Sequence, residues 1–329
     1  MRRNHPSKRQ SGFILVVVLG AVLILAALLF GFNQRTRSSL AAAEALRNGE
    51  QSWNGAWAGV QIAVARVRDA NDRSEDGPSE PQFTGDVPFS LGETEGSLTI
   101  IDESGLLNVN RLKDETGRFQ RARIDQFLRL IDLLNRRRDA GERIGYGIVP
   151  AILDWTDTDD EVTHLDFVQG QNTGAEHGYY QTCRPPYPCR NGPVDMVDHL
   201  LSVKGMTPEH LGRLRPYLTC AGDGKININA APKLVIQSLS EQIGGALAEM
   251  IVEQRQRKPF GSIAELAKVP GMTDETYRAI RPMVTTRPRE RHYRVISEGI
   301  ARGQRCRIEA VLKRNTESQN VEILYYREL

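Results

Sequence analysis

Acidic residues are missing from the first 43 positions, although the 329-residue sequence as a whole has 41 acids against 43 bases. Cysteine is also scarce, and four residues are too few for a scaffold built on disulfides. The net charge of +2 gives no reason to expect a partner bound by charge alone, such as nucleic acid. The chain is long enough for about two domains with hydrophobic cores. Its acid-free end is therefore unlike the rest.

An uncharged apolar run occupies residues 13–32 of this acid-free end. At ~1.5 Å per residue, 20 residues span the ~30 Å hydrocarbon core of a bilayer as a helix. Four bases precede the run, at Arg2, Arg3, Lys8 and Arg9. They favour a cytoplasmic amino terminus and an exported remainder. The alternative is a cleaved secretory signal, but such signals have apolar regions of about 7–15 residues and a small-residue cleavage site beyond them. The sequence thus favours a single-pass membrane anchor.

Gly12 and Phe13 lie at the near edge of the apolar run, after a short basic leader. This junction resembles the class III signal of type IV pilins and pseudopilins. The resemblance implies that prepilin peptidase removes residues 1–12 and methylates the new amino terminus at Phe13. Most pilins have a glutamate five residues into the mature chain, where this chain has Val17. An acid in a membrane needs a partner, and in the family that partner is the preceding subunit. Its absence favours a tip or first subunit.

The sequence downstream predicts an α+β protein. An alanine-rich, proline-free stretch extends the first helix to about Asp69, and residues 70–90 have loop composition. Alternating or β-rich segments predict strands, whereas about 175 residues between them have helical periodicity. We expect a pilin-like long amino-terminal helix packed on a small antiparallel sheet, with a large all-α insert. The expected strands are 96–102, 106–109, 292–300, 306–313 and 321–326. The expected divisions are a leader (1–12), a transmembrane helix (13–32), an αβ core (33–110 and 288–329) and the insert (111–287).

The insert contains an internal repeat at a spacing of 66 residues, near 199–219 and 265–285. Each copy reads Gly-Met-Thr at the same place, which predicts a helix ending at the glycine and a second helix capped by the threonine. These are helix-hairpin-helix-like repeats. Such hairpins bind DNA through backbone amides, but their usual second glycine is Thr207 or Thr273 here. Between Asp154 and Glu209, ten acids against three bases would also repel a duplex. A structural role is therefore favoured over DNA binding.

Five acids crowd into the eight residues from Asp154 to Glu161. Like charges this close repel one another, so the segment is either a solvated loop or a cation site, and both interpretations remain open. The spacing excludes an EF-hand, because Val162 and Val168 stand where that loop needs glycine and glutamate. A magnesium-dependent nuclease would need a phosphate-cradling glycine loop, which we do not find. The candidate Ca²⁺ ligands are Asp157, Asp159, Asp160, Glu161 and Glu176.

Cys183 and Cys189 bracket a short, proline-rich loop. In an exported domain this spacing favours a local disulfide, whereas a zinc site would need a second pair of ligands. Cys220 and Cys306 could form another disulfide, but four cysteines allow three pairings and the sequence does not choose among them.

Five further segments combine with the Gly12–Phe13 junction into a specific pattern. They are DESGLLNVN (102–110), ILDWTDTDD (152–160), GAEHGYY (174–180), VKGMT (203–207) and KININAAP (225–232). Together they resemble the minor pseudopilin K family of type II secretion, the general secretion pathway protein K family, over nearly the whole chain. The resemblance implies Ca²⁺ binding in the insert and a place at the pseudopilus tip with minor pseudopilins I and J, on a filament of the major pseudopilin.

The expected function is therefore that of a non-enzymatic protein. It would cap or prime the pseudopilus for export of folded proteins across the outer membrane, without a nucleic-acid or small-molecule substrate. The alternative is a membrane-tethered, helix-hairpin-helix DNA-binding protein for DNA uptake.

Overall fold

The structure, a computed structural model, describes residues 8–69, 86–114, 116–136, 138–168, 170, 172–315 and 318–329. Most of the predicted leader and of the predicted loop at 70–90 therefore lies outside the described residues. The helices are α1 (Lys8–Asp69), α2 (Arg121–Asn135), α3 (Ile148–Thr156), α4 (His177–Tyr180), α5 (Pro208–Leu214), α6 (Lys233–Ser238), α7 (Gly245–Arg257) and α8 (Asp274–Ile280). The strands are β1 (Val87–Leu91), β2 (Thr94–Asp102), β3 (Leu107–Asn108), β4 (Leu218–Thr219), β5 (Ile226–Asn227), β6 (Val284–Thr285), β7 (Glu290–Ala301), β8 (Gln304–Asn315) and β9 (Val321–Glu328). Six short 3-10 helices cover Glu103–Gly105, Val109–Arg111, Ala140–Glu142, Val197–Ser202, Arg215–Tyr217 and Ile263–Lys268.

Helix α1 has 62 residues and ends at Asp69, as the sequence predicts. At ~1.5 Å per residue it is about 90 Å long. Its apolar run is uncovered, with Phe13 72% and Phe32 71% exposed, whereas from Ser52 onward one face is buried against the sheet. Among the described residues, one helix is long and apolar enough to cross a membrane, and it is this one.

Five strands form one antiparallel sheet in the order β1-β2-β7-β8-β9. Four of them confirm predicted strands, each longer by one or two residues at one end or both than the alternation indicated. Strand β1 occupies the end of the segment predicted as a loop, because its residues pair with β2 through a two-residue turn. The predicted strand at 106–109 shrinks to the two residues of β3.

Glycines let α1 approach the sheet closely. A Cβ on Gly299 of β7 would lie 2.2 Å from the Ser52 carbonyl oxygen and 2.4 Å from the Ala56 nitrogen. A Cβ on Gly55 of α1 would lie 2.4 Å from Thr94 Cγ2. The helical glycine therefore serves packing, although within an isolated helix it would only lower stability.

The insert lies between β2 and β7 and holds both predicted hairpins. In each, a 3-10 helix ends before a glycine with positive φ, +79° at Gly205 and +87° at Gly271. The hydroxyls of Thr207 and Thr273 then cap α5 and α8, each accepting a hydrogen bond from a backbone N–H at 3.1 Å. The predicted threonine caps and left-handed glycines are confirmed, whereas the first helix of each hairpin ends three residues before the glycine at which it was predicted to end.

The insert is not wholly helical, which corrects the prediction. Strands β3 and β4 pair in parallel, and so do β5 and β6. The two pairs are equivalent, since β4 and β6 each follow a hairpin, while β3 and β5 begin Asn-containing segments of the same pattern, LNVN and ININ. Asn108 and Asn227 each accept a hydrogen bond, at 2.9 and 3.1 Å, from the N–H two residues on. These side chains turn the chain after two residues and keep the strands short.

Ion pairs join the insert to the sheet. The Glu309 carboxylate of β8 is 2% exposed. It accepts from Arg215, at the end of the first hairpin, at 2.7 Å and from Arg327 Nε of β9 at 2.9 Å. Asp198 of the insert pairs with both arginines. Because Arg215 and Arg327 compensate its charge, the pKa of Glu309 is lowered despite its burial.

Candidate metal centre

Three carboxylates converge beside the carboxyl end of α3. Asp154 lies in its last turn, and Asp157 is the first residue after the helix, where the backbone is extended. Glu176 comes from the segment before α4. One oxygen from each of these residues lies within 4.8 Å of the others. The structure therefore brings together two of the predicted ligands, Asp157 and Glu176, with Asp154.

Four carboxylate oxygens of this cluster are buried and have no hydrogen-bond partner in the described part of the chain. They are Asp154 Oδ2, Asp157 Oδ1 and both oxygens of Glu176. Asp154 is 0% and Glu176 5% exposed, so bulk solvent does not reach these carboxylates. Buried charge without a partner is costly, and such groups in a native fold need an explanation. A cation bound among them would compensate this charge.

Burial raises the pKa of all three carboxyls. For Glu176 the pKa rises to about 7, first by desolvation and then by the charges of Asp154 and Asp157. Desolvation also raises the pKa of Asp154, against hydrogen bonds from Thr163, and of Asp157, against its ion pair with Lys113. One ammonium facing three carboxylates leaves an excess of negative charge, and a divalent cation would remove it.

Small groups around the cluster hold Asp154 in place. Thr163 N–H donates to Asp154 Oδ1 at 3.0 Å. A Cβ on Gly174 would lie 2.1 Å from Asp154 Oδ2, so this position accepts only glycine. Asn191 adds a further buried oxygen without a partner, Oδ1.

The donor set is that of a hard cation. The four unpartnered atoms of the three carboxylates are oxygens, which Ca²⁺ and Mg²⁺ prefer as ligands, whereas structural zinc sites use sulfur and nitrogen. The Cys189 thiol lies beside Glu176, and burial raises its pKa to about 12. Without a metal it therefore stays protonated, and as a sulfur atom it is a poor ligand for Ca²⁺ or Mg²⁺. The carboxylate cluster fits Ca²⁺, the cation expected from the sequence, because its oxygens are available to coordinate the ion.

Three of the predicted ligands stay at the surface. Asp159, Asp160 and Glu161 are exposed. Asp159 accepts a hydrogen bond from the Glu161 N–H at 2.9 Å, and Asp160 accepts one from Asn191 Nδ2 at 2.9 Å. They do not join the buried cluster, and their part in cation binding stays a prediction. Asp154 was not among the predicted ligands, although it belongs to the same acidic run, three residues before Asp157.

The predicted disulfide between Cys183 and Cys189 is not formed in the structure, where all four cysteines are free. The two sulfurs face different groups, with Cys183 Sγ at 3.9 Å from the Tyr179 carbonyl oxygen and Cys189 Sγ at 3.7 Å from the Asp154 carbonyl oxygen. The other suggested pair is separated by the fold, because Cys306 lies in the core between α1 and the sheet and Cys220 packs in the insert.

The predicted processing site falls within α1, near its start. The described backbone of Gly12 and Phe13 is helical, and Phe13 is exposed. Cleavage between them stays a prediction.

Comparisons with known proteins agree with this fold. Residues 105–223 match the family model for type II secretion system (T2SS), protein K, and residues 222–285 match the helix-hairpin-helix motif. The chain is 23% identical over 263 residues to type II secretion system protein K of Aeromonas hydrophila, covering 76% of this chain and 77% of the relative. It is also 23% identical over 291 residues to the protein K of Klebsiella pneumoniae, covering 85% and 84%.

A solved structure shares the fold. A chain in the crystal structure of the GspK-GspI-GspJ complex from the enterotoxigenic Escherichia coli type 2 secretion system superposes with a TM-score of 0.67 at 18% identity. The match covers 90% of this chain and 99% of that chain. The resemblance found in the sequence is thereby confirmed: residues 105–223 match the protein K domain of type II secretion systems, and the chain shares the fold of the solved chain.

Proposed function

We propose that this protein is the minor pseudopilin at the tip of a type II secretion pseudopilus, where it caps or primes assembly for export of folded proteins across the outer membrane. The observation that carries the proposal is α1, whose apolar run is wholly exposed while its other half packs on a small sheet. An exposed apolar surface of this length needs a membrane or neighbouring helices to cover it.

The orientation follows from charge. Four bases stand before the apolar run and no acid does, which favours a cytoplasmic amino terminus with the sheet and the insert in the periplasm. The helix would hold the subunit in the inner membrane first and in the filament afterwards.

Two features support a position at the tip. Val17 leaves the chain without the membrane acid by which a pilin subunit joins the one ahead of it. The insert at 111–287 adds more residues than the pilin-like core contains, which favours a subunit with nothing packed above it. Both features suit a first subunit and would hinder an internal one.

The partners would be minor pseudopilins I and J, the major pseudopilin filament and prepilin peptidase. The matched chain comes from a complex of GspK with GspI and GspJ, which supports the first two. Co-purification of the tagged full chain with candidate I and J subunits from detergent extracts tests this, and recovery of neither would contradict it.

Ca²⁺ is the proposed cofactor of the buried carboxylates. Asp154, Asp157 and Glu176 would hold it, and its charge would offset their mutual repulsion. Its contribution would be structural, since it would tie the end of α3 to the segment before α4.

Processing is tested by Gly12→Ala, which removes the residue after which the peptidase would cut. We expect full-length precursor to accumulate and secretion to stop. Gly20→Ala, at a glycine with no atom within 4 Å of an added Cβ, is the matched control and should be processed normally. Normal cleavage and secretion in the Gly12 variant would refute the assignment of the processing site.

The match to the helix-hairpin-helix motif at residues 222–285 is the observation that favours DNA binding. In both hairpins the position of the usual second glycine is a threonine whose hydroxyl caps the next helix. The proposed function predicts no salt-dependent binding of duplex DNA by the purified protein. Such binding, with a steep loss as salt rises, would favour the DNA-uptake alternative.

A further inference from the structure

A second cleft lies at the other end of α3, away from the carboxylate cluster. It encloses about 630 Å³. Its walls come from the turn before α3, from the strand-like segment before Gly174, and from the first hairpin. The lining residues that matter chemically are Arg143, Gly147, Thr173, Tyr179, Lys204 and His210.

The lining is basic. It carries Arg143, Lys204 and His210, and none of the described residues that line the cleft is an acid. This contrasts with the surrounding sequence, where Lys204 is one of three bases against ten acids between Asp154 and Glu209. A concentration of positive charge within an acidic segment indicates an anionic ligand.

Lys204 is held toward the cleft by two contacts. Its Nζ donates to the Gly174 carbonyl oxygen at 3.0 Å and lies 5.1 Å from the centre of the Tyr179 ring. An ammonium has three N–H donors, so this hydrogen bond leaves two for a ligand. The entropy cost of fixing a lysine on binding is thereby reduced.

His210 is fixed in a similar way. Its Nδ1 lies 3.2 Å from the Gly205 carbonyl oxygen. A carbonyl only accepts, so Nδ1 carries the proton, and Nε2 becomes a further donor when the ring is charged.

The helix itself contributes to the same field. Gly147 at its N-cap has no side chain, and the first turn contains no acid. The N–H groups of Ile148 and Val149 donate to the carbonyl oxygens of Gly145 and Tyr146, so this end contributes its dipole and no free donor. The amino end of a helix carries partial positive charge and favours anions. Here that end opens on a cleft that already holds three basic side chains.

We propose that this cleft binds a compact oxyanion, a carboxylate or a phosphate group, between Arg143, Lys204 and His210 at the amino end of α3. The second hairpin serves as an internal comparison, because Pro270 stands where the first has Lys204. The proposal does not depend on a position at the pseudopilus tip.

The test is calorimetric titration of the detergent-solubilised full chain with inorganic phosphate and, separately, with N-acetylglycine as a carboxylate probe. Buffers are freed of metal by resin, because chelators are themselves polyanions, and ionic strength is held constant with chloride. We expect saturable binding of at least one probe, and the stronger of the two identifies the chemistry. Lys204→Gln should weaken it about tenfold, since one charged hydrogen bond is lost. Lys204→Arg should retain it.

Lys268→Gln is the matched control, since it removes an exposed lysine of the second hairpin outside the cleft. It should leave binding unchanged. Arg143→Gln changes an exposed side chain and replaces the Lys204 variant if the latter unfolds. Absence of saturable binding by both probes, or equal binding by the cleft variants and the control, would overturn the proposal.

Discussion

Replacing Glu176 with glutamine should have opposite effects on the protein with and without calcium. Without the ion, the buried carboxylate faces Asp154 and Asp157 with both oxygens unpartnered. The neutral amide removes that repulsion and should stabilise the fold. With the ion, the same change removes a charged ligand and should weaken or abolish the stabilisation by calcium.

The raised pKa sets the size of the effect. The pKa of Glu176 rises from its ordinary value of 4.5 to about 7. A tenfold change in an ionisation constant corresponds to about 1.4 kcal/mol, so above pH 7 the ionised carboxylate costs the calcium-free fold about 3 kcal/mol. The cost is absent below the unfolded pKa and grows as the pH rises toward the folded pKa. Glu176→Gln should thus raise Tm at pH 8 by roughly 6–10 °C for a domain of this size.

Thermal unfolding followed by circular dichroism measures the effect with and without calcium, with the full chain in detergent at pH 5.5 and pH 8. Without calcium, the Tm of the wild type should fall as pH rises, and that of Glu176→Gln should fall less. With calcium at about 100-fold the dissociation constant, the wild type should gain about 2.7 kcal/mol and the variant little. Glu161→Gln is the matched control, because Glu161 is exposed and outside the cluster.

Equal losses of calcium stabilisation in the Glu176 and Glu161 variants would show that the exposed acids ligate and that the buried cluster is not the centre. A calcium-free variant at Glu176 that is less stable than the wild type at pH 8 would refute the repulsion between the buried carboxylates.

Three further changes probe the fold around this centre. Gly299→Ala should destabilise the protein by about 3 kcal/mol or more in urea unfolding, because its Cβ meets the backbone of α1, whereas Gly212→Ala, with open space around it, should cost nothing. Glu309→Gln should cost about 3 kcal/mol and expose the junction of insert and sheet to limited proteolysis, since it leaves two arginines without their buried partner. Cys189→Ser should leave calcium affinity within about threefold, because the thiol is protonated and not a ligand; a loss of affinity by a factor of about ten or more would contradict this.

The elements with a regular pattern could be predicted from the sequence. The long helix to Asp69 follows from an alanine-rich, proline-free stretch, and the strands at the carboxyl end follow from alternation of apolar and polar residues. The hairpin turns at Gly205 and Gly271 follow from local chemistry that operates whatever surrounds it.

Features set by distant contacts could not be predicted in this way. Strand β1 has too short a pattern to recognise, and it exists because β2 is beside it. The parallel pair of β3 and β4 joins segments that lie far apart in the chain, at Leu107 and Leu218. A signal was present in the recurring LNVN and ININ segments, which mark equivalent positions of two modules.

The site was predicted only in part for a related reason. Local acid density singled out five residues between Asp154 and Glu161, but density does not distinguish buried from exposed carboxylates. The end of the helix does, because Asp154 lies in the last turn of α3 and Asp157 directly follows it. Asp154 and Asp157 face Glu176, whereas Asp159 and its exposed neighbours follow the helix end and point to solvent.

The charges along α3 give a final reason to connect its two ends. Acids at the carboxyl end of a helix oppose its dipole, and Asp154 and Asp157 stand at that end without an arginine or lysine in the last turn. The amino end is equally unusual, with no acid in the first turn and basic groups beside it. Each end of the nine-residue helix therefore carries the charge that its dipole disfavours, and a cation at one end with an anion at the other would reverse both conflicts. Gly174 links the two ends, since its missing side chain admits Asp154 and its carbonyl holds Lys204. Binding of a cation at the carboxyl end should therefore order the lining of the basic cleft at the amino end, and binding of an anion in the cleft should order the carboxylate cluster.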